Sequence, residues 1–247
     1  MSGAADPYVL YYYPGNASLL PHMMLREIGA PFELRLVDRA AGAQRDPAYL
    51  RLNPHGRIPV LVRGDVVLYE TAAIALHLAE RHPEAGLAPP PGDPMRPDSL
   101  KWMVHPANTP QPEYRAWFYP HEHVADPAAV PAVKAQAEVR LRGMFERIAT
   151  LPGALSASLT SLPSKPPSRL CPSGRIATRW IAARWPWLLG ERFSAVDLFL
   201  FMLIRWGRAM PRPPRALAPL GGLAERVMAR PAVRATFAAE GLGEPLF

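Results

Sequence analysis

Five prolines and two glycines crowd into residues 84–97, and this stretch fixes how the rest of the chain can be organised. Proline lacks a backbone N–H and locks φ, so neither a helix nor a strand can run through such a segment. Before it, apolar residues alternate between strand and helix spacing; after it, strand signals fade. The chain therefore divides near residue 85. Its 247 residues, nearly half of them apolar, suffice to bury a substantial core.

The first part reads element by element. Tyr8 to Tyr12 is a β-prone run closed by the turn Pro14-Gly15-Asn16. Ser18 can cap a helix whose apolar positions Leu20, Met23, Met24 and Ile28 keep helical spacing until Gly29-Ala30-Pro31 ends it. A strand over Phe32 to Val37 follows, then turn residues from Arg51 to Gly56. Ile58 to Val62 and Val66 to Leu68 form a hairpin around Arg63-Gly64-Asp65, and a helix runs from Thr71 to Arg81. The order is βαβ, a short helix, then ββα. Beyond the proline-rich linker, helical periodicity marks Val130 to Ile148, Ala195 to Trp206, Leu217 to Ala229 and Val233 to Ala239. An α/β unit followed by an all-α unit is the expectation.

Two stretches depart from a regular helical unit. Asp98 to His123 contains Pro106, Pro110, Pro112 and Pro120, and an interior proline costs about 3 kcal/mol in a helix, so a kink or break is expected there. Arg147-Ile-Ala-Thr150 recurs as Arg175-Ile-Ala-Thr178, and residues 151–174 between them hold five prolines and six serines but no acid. That composition predicts an inserted surface loop over 151–178, dispensable to the fold.

The net charge of +7 admits anionic partners, but its distribution argues otherwise. Residues up to 85 carry a net −1 and the remainder +8, only three of 28 basic residues are lysine, and no nucleic-acid motif accompanies the excess. The most apolar run, Leu198 to Ile204, is far shorter than the roughly 20 residues that span a bilayer. Neither nucleic acid nor membrane is an expected partner. The opening residues lack the basic and apolar segments of a secretory leader, and the single Cys171 cannot form an internal disulfide, so a cytoplasmic location is expected.

Chemistry concentrates in two short motifs. In Asn53-Pro-His-Gly-Arg-Ile-Pro-Val-Leu61, Pro59 sits where a strand begins and cannot donate to the ladder. Eleven residues on, Glu70-Thr71 opens a helix, where a hydroxyl and free N–H groups suit a carboxylate and the acid suits an amine. Each alone has an ordinary structural explanation, a strand start and a helix cap. Together, in this order and spacing, they resemble the glutathione S-transferase family. Trp187-Leu-Leu-Gly-Glu-Arg-Phe-Ser-Ala-Val-Asp197 resembles that family's capping-box segment ahead of a buried helix, Asp197 reaching back to Ser194.

The resemblance implies a thioredoxin-like glutathione-binding domain over 1–85, a linker over 86–97 and an all-helical domain over 98–247. It implies a cis Pro59, with the backbone of Ile58 pairing with the cysteinyl part of glutathione. Glu70 and Thr71 would hold its γ-glutamyl end; His55 and Arg57 flank this loop and are either contacts of its glycine carboxylate or solvated loop residues. Glutathione would be the co-substrate, with no metal. The chemistry would be conjugation or reduction of a small apolar electrophile, as in detoxification, at a pocket between Tyr13-Pro14 and the helix beginning near Asp98, in a homodimer.

A transferase of this kind must also stabilise the thiolate, each pKa unit requiring about 1.4 kcal/mol. The loop Tyr11 to Leu19 most resembles beta-class sequences, yet Ala17 stands where that class has cysteine, which excludes a mixed disulfide at this position. Ser18, Asn16 and Tyr12 are the remaining donors, in that order of preference. A non-catalytic binding protein that keeps the fold is the alternative. His121-Glu122-His123 does not read as a metal site, because residues two apart on a helix do not share a face.

Overall fold

The computed structural model describes residues 6–150 and 186–247. The expected insertion at 151–178, with its second Arg-Ile-Ala-Thr copy and Cys171, lies outside them.

The first half forms β1 (Tyr8–Tyr12), α1 (Leu19–Ile28), β2 (Phe32–Leu36), a short α2 (Pro47–Leu50), β3 (Val60–Arg63), β4 (Val66–Tyr69) and α3 (Thr71–Arg81). The four strands make one mixed sheet in the order β2-β1-β3-β4, with β1 parallel to β2 and antiparallel to β3, and β3 antiparallel to β4. The parallel pair requires a crossover, which α1 supplies. This is the thioredoxin-like arrangement, followed by a helical half: α4 (Arg96–Asn108), α5 (Pro110–Phe118), α6 (Val130–Thr150), α7 (Ala195–Trp206), α8 (Ala218–Met228) and α9 (Pro231–Ala239).

The prolines act as their chemistry demands. Helix α4 starts at Arg96 rather than Asp98, with Pro97 in the first turn where a missing N–H costs nothing. Pro106 is carried inside α4, and the break falls at Thr109, whose φ of −120° and ψ of −73° leave the helical region immediately before Pro110.

The two halves share one core. Leu19 to Leu25 of α1 are buried on every side, because α1 packs against β1 and α3 on one flank and α7 and α9 on the other. Glu27 at the end of α1 takes a bidentate contact from Arg230, with Nε–Oε1 at 2.6 Å and Nη2–Oε2 at 2.7 Å. Ala195 to Arg205 of α7 are all buried, which explains why that stretch is apolar around its whole circumference. Among the described residues no helix is long and apolar enough to cross a membrane.

The start of α7 is fixed by the capping box expected from the sequence. Asp197 accepts from the backbone N–H and hydroxyl of Ser194, both at 2.9 Å, and from the N–H of Leu188 at 2.7 Å. Burial pushes its carboxyl up to about 6, against the pull of these donors. An aspartate in an unfolded chain titrates near about 3.9, so the native state binds this proton more tightly than the unfolded one. The Asp197 contribution to stability is therefore greatest below pH 4, falls as pH rises toward 6 and is level above that. In urea unfolding referenced to Asp197→Asn, which cannot titrate, the wild type should lose about 2 kcal/mol between pH 4 and pH 7. A difference that stays constant over that range contradicts the assignment.

Candidate functional site

Strand register brings the singled-out segments together. Val60, the first residue of β3, pairs with Tyr11 on one side and with Tyr69 on the other. The loop that follows β1, the turn ending at Pro59 and the β4–α3 junction at Glu70 thus converge on one end of the sheet.

The turn before β3 is held from beneath. The Arg57 carbonyl accepts from the Tyr49 hydroxyl at 2.7 Å and from Asn53 Nδ2 at 2.8 Å, while Asn53 Oδ1 accepts from the N–H of His55 at 3.1 Å. Tyr49 and Asn53 are both buried, and burial raises the Tyr49 phenol above its ordinary range, so it remains a proton donor. Gly56 has φ of +59°, and a Cβ there would lie 3.0 Å from the Gln44 carbonyl oxygen, so a side chain would be both strained and crowded. The Ile58–Pro59 peptide is cis. Among the described residues nothing hydrogen-bonds to the N–H or C=O of Ile58, although its side chain is buried. An extended peptide laid beside Ile58 would meet a free donor and a free acceptor.

Glu70 has φ of +72°, the one non-glycine residue in the left-handed region among those described. Such a conformation costs on the order of 1–3 kcal/mol and persists only where its surroundings impose it. Here it turns the chain directly from β4 into α3, leaving the Glu70 carboxylate exposed beside the helix N-terminus. Thr71 is buried, and the N–H groups of the first turn have no acceptor within the helix. A positive dipole end, a hydroxyl and a carboxylate together can hold a zwitterionic amino-acid group.

The third wall is the loop from Tyr13 to Ser18. Ser18 occupies the N-cap position of α1 but does not cap it. Its φ and ψ of −64° and −15° are helical, and its fully buried hydroxyl donates to the Tyr13 carbonyl at 3.2 Å and accepts from the Tyr13 N–H at 3.3 Å. Asn16 is half-buried and uses Oδ1 on the Ala17 N–H at 2.6 Å, and no hydrogen bond from its Nδ2 occurs among the described residues. Tyr12 faces the α1 side of the sheet, edge-on to His22, whereas Tyr11 and Tyr13 pack on the opposite face with Ile58 and Val60. His55 and Arg57 sit exposed at the rim, His55 edge-on to Tyr69. Arg39 spans the gap between the two halves: its guanidinium lies 5.6 Å from the Tyr13 ring and 5.4 Å from the Tyr119 ring, and Nη2 donates to the Tyr119 hydroxyl at 2.6 Å.

Several of the contacts carry no local signature in the chain. Tyr49 and Asn53 support Arg57 from the underside of the turn, Arg39 reaches Tyr119 from the β2–α2 connection, and Gly15 is contacted by Trp206 and Glu240 from the helical half. Only His22 gives a hint, as a polar residue among the apolar positions of α1. Among the described residues no group of three or more His, Cys, Asp or Glu side chains could hold a metal.

The geometry is matched by known proteins. Residues 18–81 match the family model for the glutathione S-transferase N-terminal domain. Glutathione S-transferase GST-4.5 of Xanthomonas campestris is 28% identical over 233 residues, covering 94% of this chain and 98% of its own. Among solved structures, the glutathione S-transferase of Xylella fastidiosa superposes with a TM-score of 0.75 at 28% identity, covering 96% of this chain and all of that one. A sphingomonad glutathione S-transferase complexed with glutathione superposes with a TM-score of 0.72 at 27% identity, covering 95% of this chain and all of its own. Residues 18–81 thus match the glutathione S-transferase N-terminal domain, and the chain as a whole is similar in sequence and fold to glutathione S-transferases along nearly their entire length.

Proposed function

We propose that this protein binds glutathione at the sheet end described above and uses its thiolate to conjugate or reduce small apolar electrophiles. One observation carries the reading: the backbone donor and acceptor of Ile58, without a partner among the described residues, precede Val60 as Glu70 follows its pairing partner Tyr69, so one short peptide can meet both at once. The cysteinyl main chain runs along Ile58 as an added strand. The γ-glutamyl amine meets Glu70, its carboxylate meets Thr71 and the α3 N-terminus, and the glycine carboxylate lies near His55 and Arg57. Complexed glutathione in the sphingomonad relative supports the choice of ligand.

At the sulfur, the preference moves from Ser18 to Asn16. A hydroxyl has one proton, and that of Ser18 is committed to the Tyr13 carbonyl, whereas Asn16 Nδ2 can donate to an anion without breaking a bond. Tyr12 ranks third because it faces the core. The committed hydroxyl of Ser18 and the alanine at position 17 also favour a second reading, a member of the family that binds glutathione without turning it over. A homodimer and a cytoplasmic location complete the proposal. The dimer is supported by exposed apolar side chains at Val66 and Val67 on β4 and Leu100 and Val104 one turn apart on α4.

Turnover of a generic aryl halide electrophile with glutathione separates the two readings: binding with turnover supports the enzyme, and binding without it supports the second. Glu70→Ala should weaken glutathione binding in calorimetry by about 1.5–3 kcal/mol, the range for a hydrogen bond to a charged group. Unchanged affinity would remove Glu70 from the site. In ultraviolet titration of the complex, Asn16→Ala should raise the thiol pKa of bound glutathione while leaving affinity at low pH nearly unaltered, since only the anion gains from the bond. A shift in Ser18→Ala with none in Asn16→Ala returns the role to Ser18.

A further inference from the structure

Both backbone polar groups of Gly15 are taken by the helical half. Its N–H donates to Glu240 Oε2 at 2.8 Å, and its carbonyl accepts from Trp206 Nε1 at 2.9 Å. Glu240 follows α9 and its side chain is wholly buried; its other oxygen lies 2.7 Å from Nδ1 of His22, equally buried on α1. Arg26 Nε donates to His22 Nε2 at 3.1 Å. Arginine cannot accept, so Nε2 is the acceptor and the ring N–H resides on Nδ1, aimed at Glu240. Each carboxylate oxygen is thus fixed by one donor, and the carboxylate in turn fixes the Gly15 peptide.

For packing alone this is a poor solution, because an apolar residue at 240 would fill the space without desolvating a carboxylate. Gly15 has φ of +67°, open to glycine at no cost, so it is also the loop residue most free to pivot. Asn16 is its neighbour, and the Asn16 carbonyl accepts from the N–H of Leu19, the first residue of α1.

We propose that Glu240, oriented by His22, and Trp206 are positioning residues: a clamp from the helical half that holds the Gly15 peptide and thereby aims Asn16 and the α1 N-terminus at the glutathione sulfur. The inference rests on the functional reading above and adds to it that thiol activation depends on residues of the other half that do not touch the ligand. The clamp makes the thiolate environment a property of how the two halves pack. Without it the loop still joins β1 to α1, but it samples other orientations.

Trp206→Phe removes the Nε1–H while keeping a ring against Tyr114 and Phe118, and Glu240→Gln keeps one acceptor but turns an amide N–H toward the other donor. In the full-length protein each variant should raise the thiol pKa of bound glutathione by about one unit and lower kcat roughly tenfold, at saturating glutathione and with the same aryl halide probe. Affinity for glutathione at low pH should stay within about twofold. Amide exchange at Gly15 and Asn16 should quicken in both. If thiol pKa and kcat are unchanged, whatever happens to the melting temperature, the clamp is structural and the proposal is wrong. Should Glu240→Gln fail to fold, Trp206→Phe carries the same readouts. If the wild type itself neither binds glutathione nor lowers its thiol pKa, the functional reading fails and the clamp with it. Wild-type activation that the variants leave untouched overturns the clamp alone.

Discussion

Pairing of Val60 with Tyr11 on one side and Tyr69 on the other is the constraint on which the site depends. A strand's two edges point opposite ways, so the first residue of a central strand decides which two neighbours end level with it. Here the neighbours are the strand that feeds the Tyr13–Ser18 loop and the strand that feeds Glu70. A one-residue slip in either pairing would carry Glu70 or the loop about 3.4 Å along the sheet and exchange its two faces. Arg57, clamped by Tyr49 and Asn53, holds the entry to the central strand in register.

The second organising element is α1. Because it is buried on all sides, it belongs to both halves, and the loop at its N-terminus inherits contacts from both. Gly15 makes no polar contact with the sheet through its own backbone and two with the helical half. The helical half therefore meets Arg39 through Tyr119 as well as the Gly15 peptide through Glu240 and Trp206.

Much of this architecture is legible in the sequence because periodicity is unambiguous where burial is one-sided or total. Tyr8–Tyr12 and Ala195–Trp206 fall where their patterns put them, and Asp197 sits three residues after Ser194 as a capping box requires. The break at Thr109 follows from Pro110, though which of four prolines would break the helix depends on packing. Ser18 reads as a cap by residue type, but capping needs an extended backbone at that position, and its helical φ and ψ point the hydroxyl back at Tyr13 instead. The left-handed Glu70 has no local mark, because glutamate is not a residue that favours such a φ. His22 with Glu240 and Gly15 with Trp206 join positions about two hundred residues apart, and no short-range pattern encodes them.

On the proposed reading, one tripeptide spans Ile58 and the Glu70–Thr71 helix start. A crystal structure of the protein with saturating glutathione tests it most directly. Antiparallel main-chain hydrogen bonds between the cysteinyl residue and both the N–H and C=O of Ile58 are expected, with the γ-glutamyl group against Glu70 and Thr71. Glutathione bound elsewhere, or bound here with the Ile58 backbone unengaged, contradicts it.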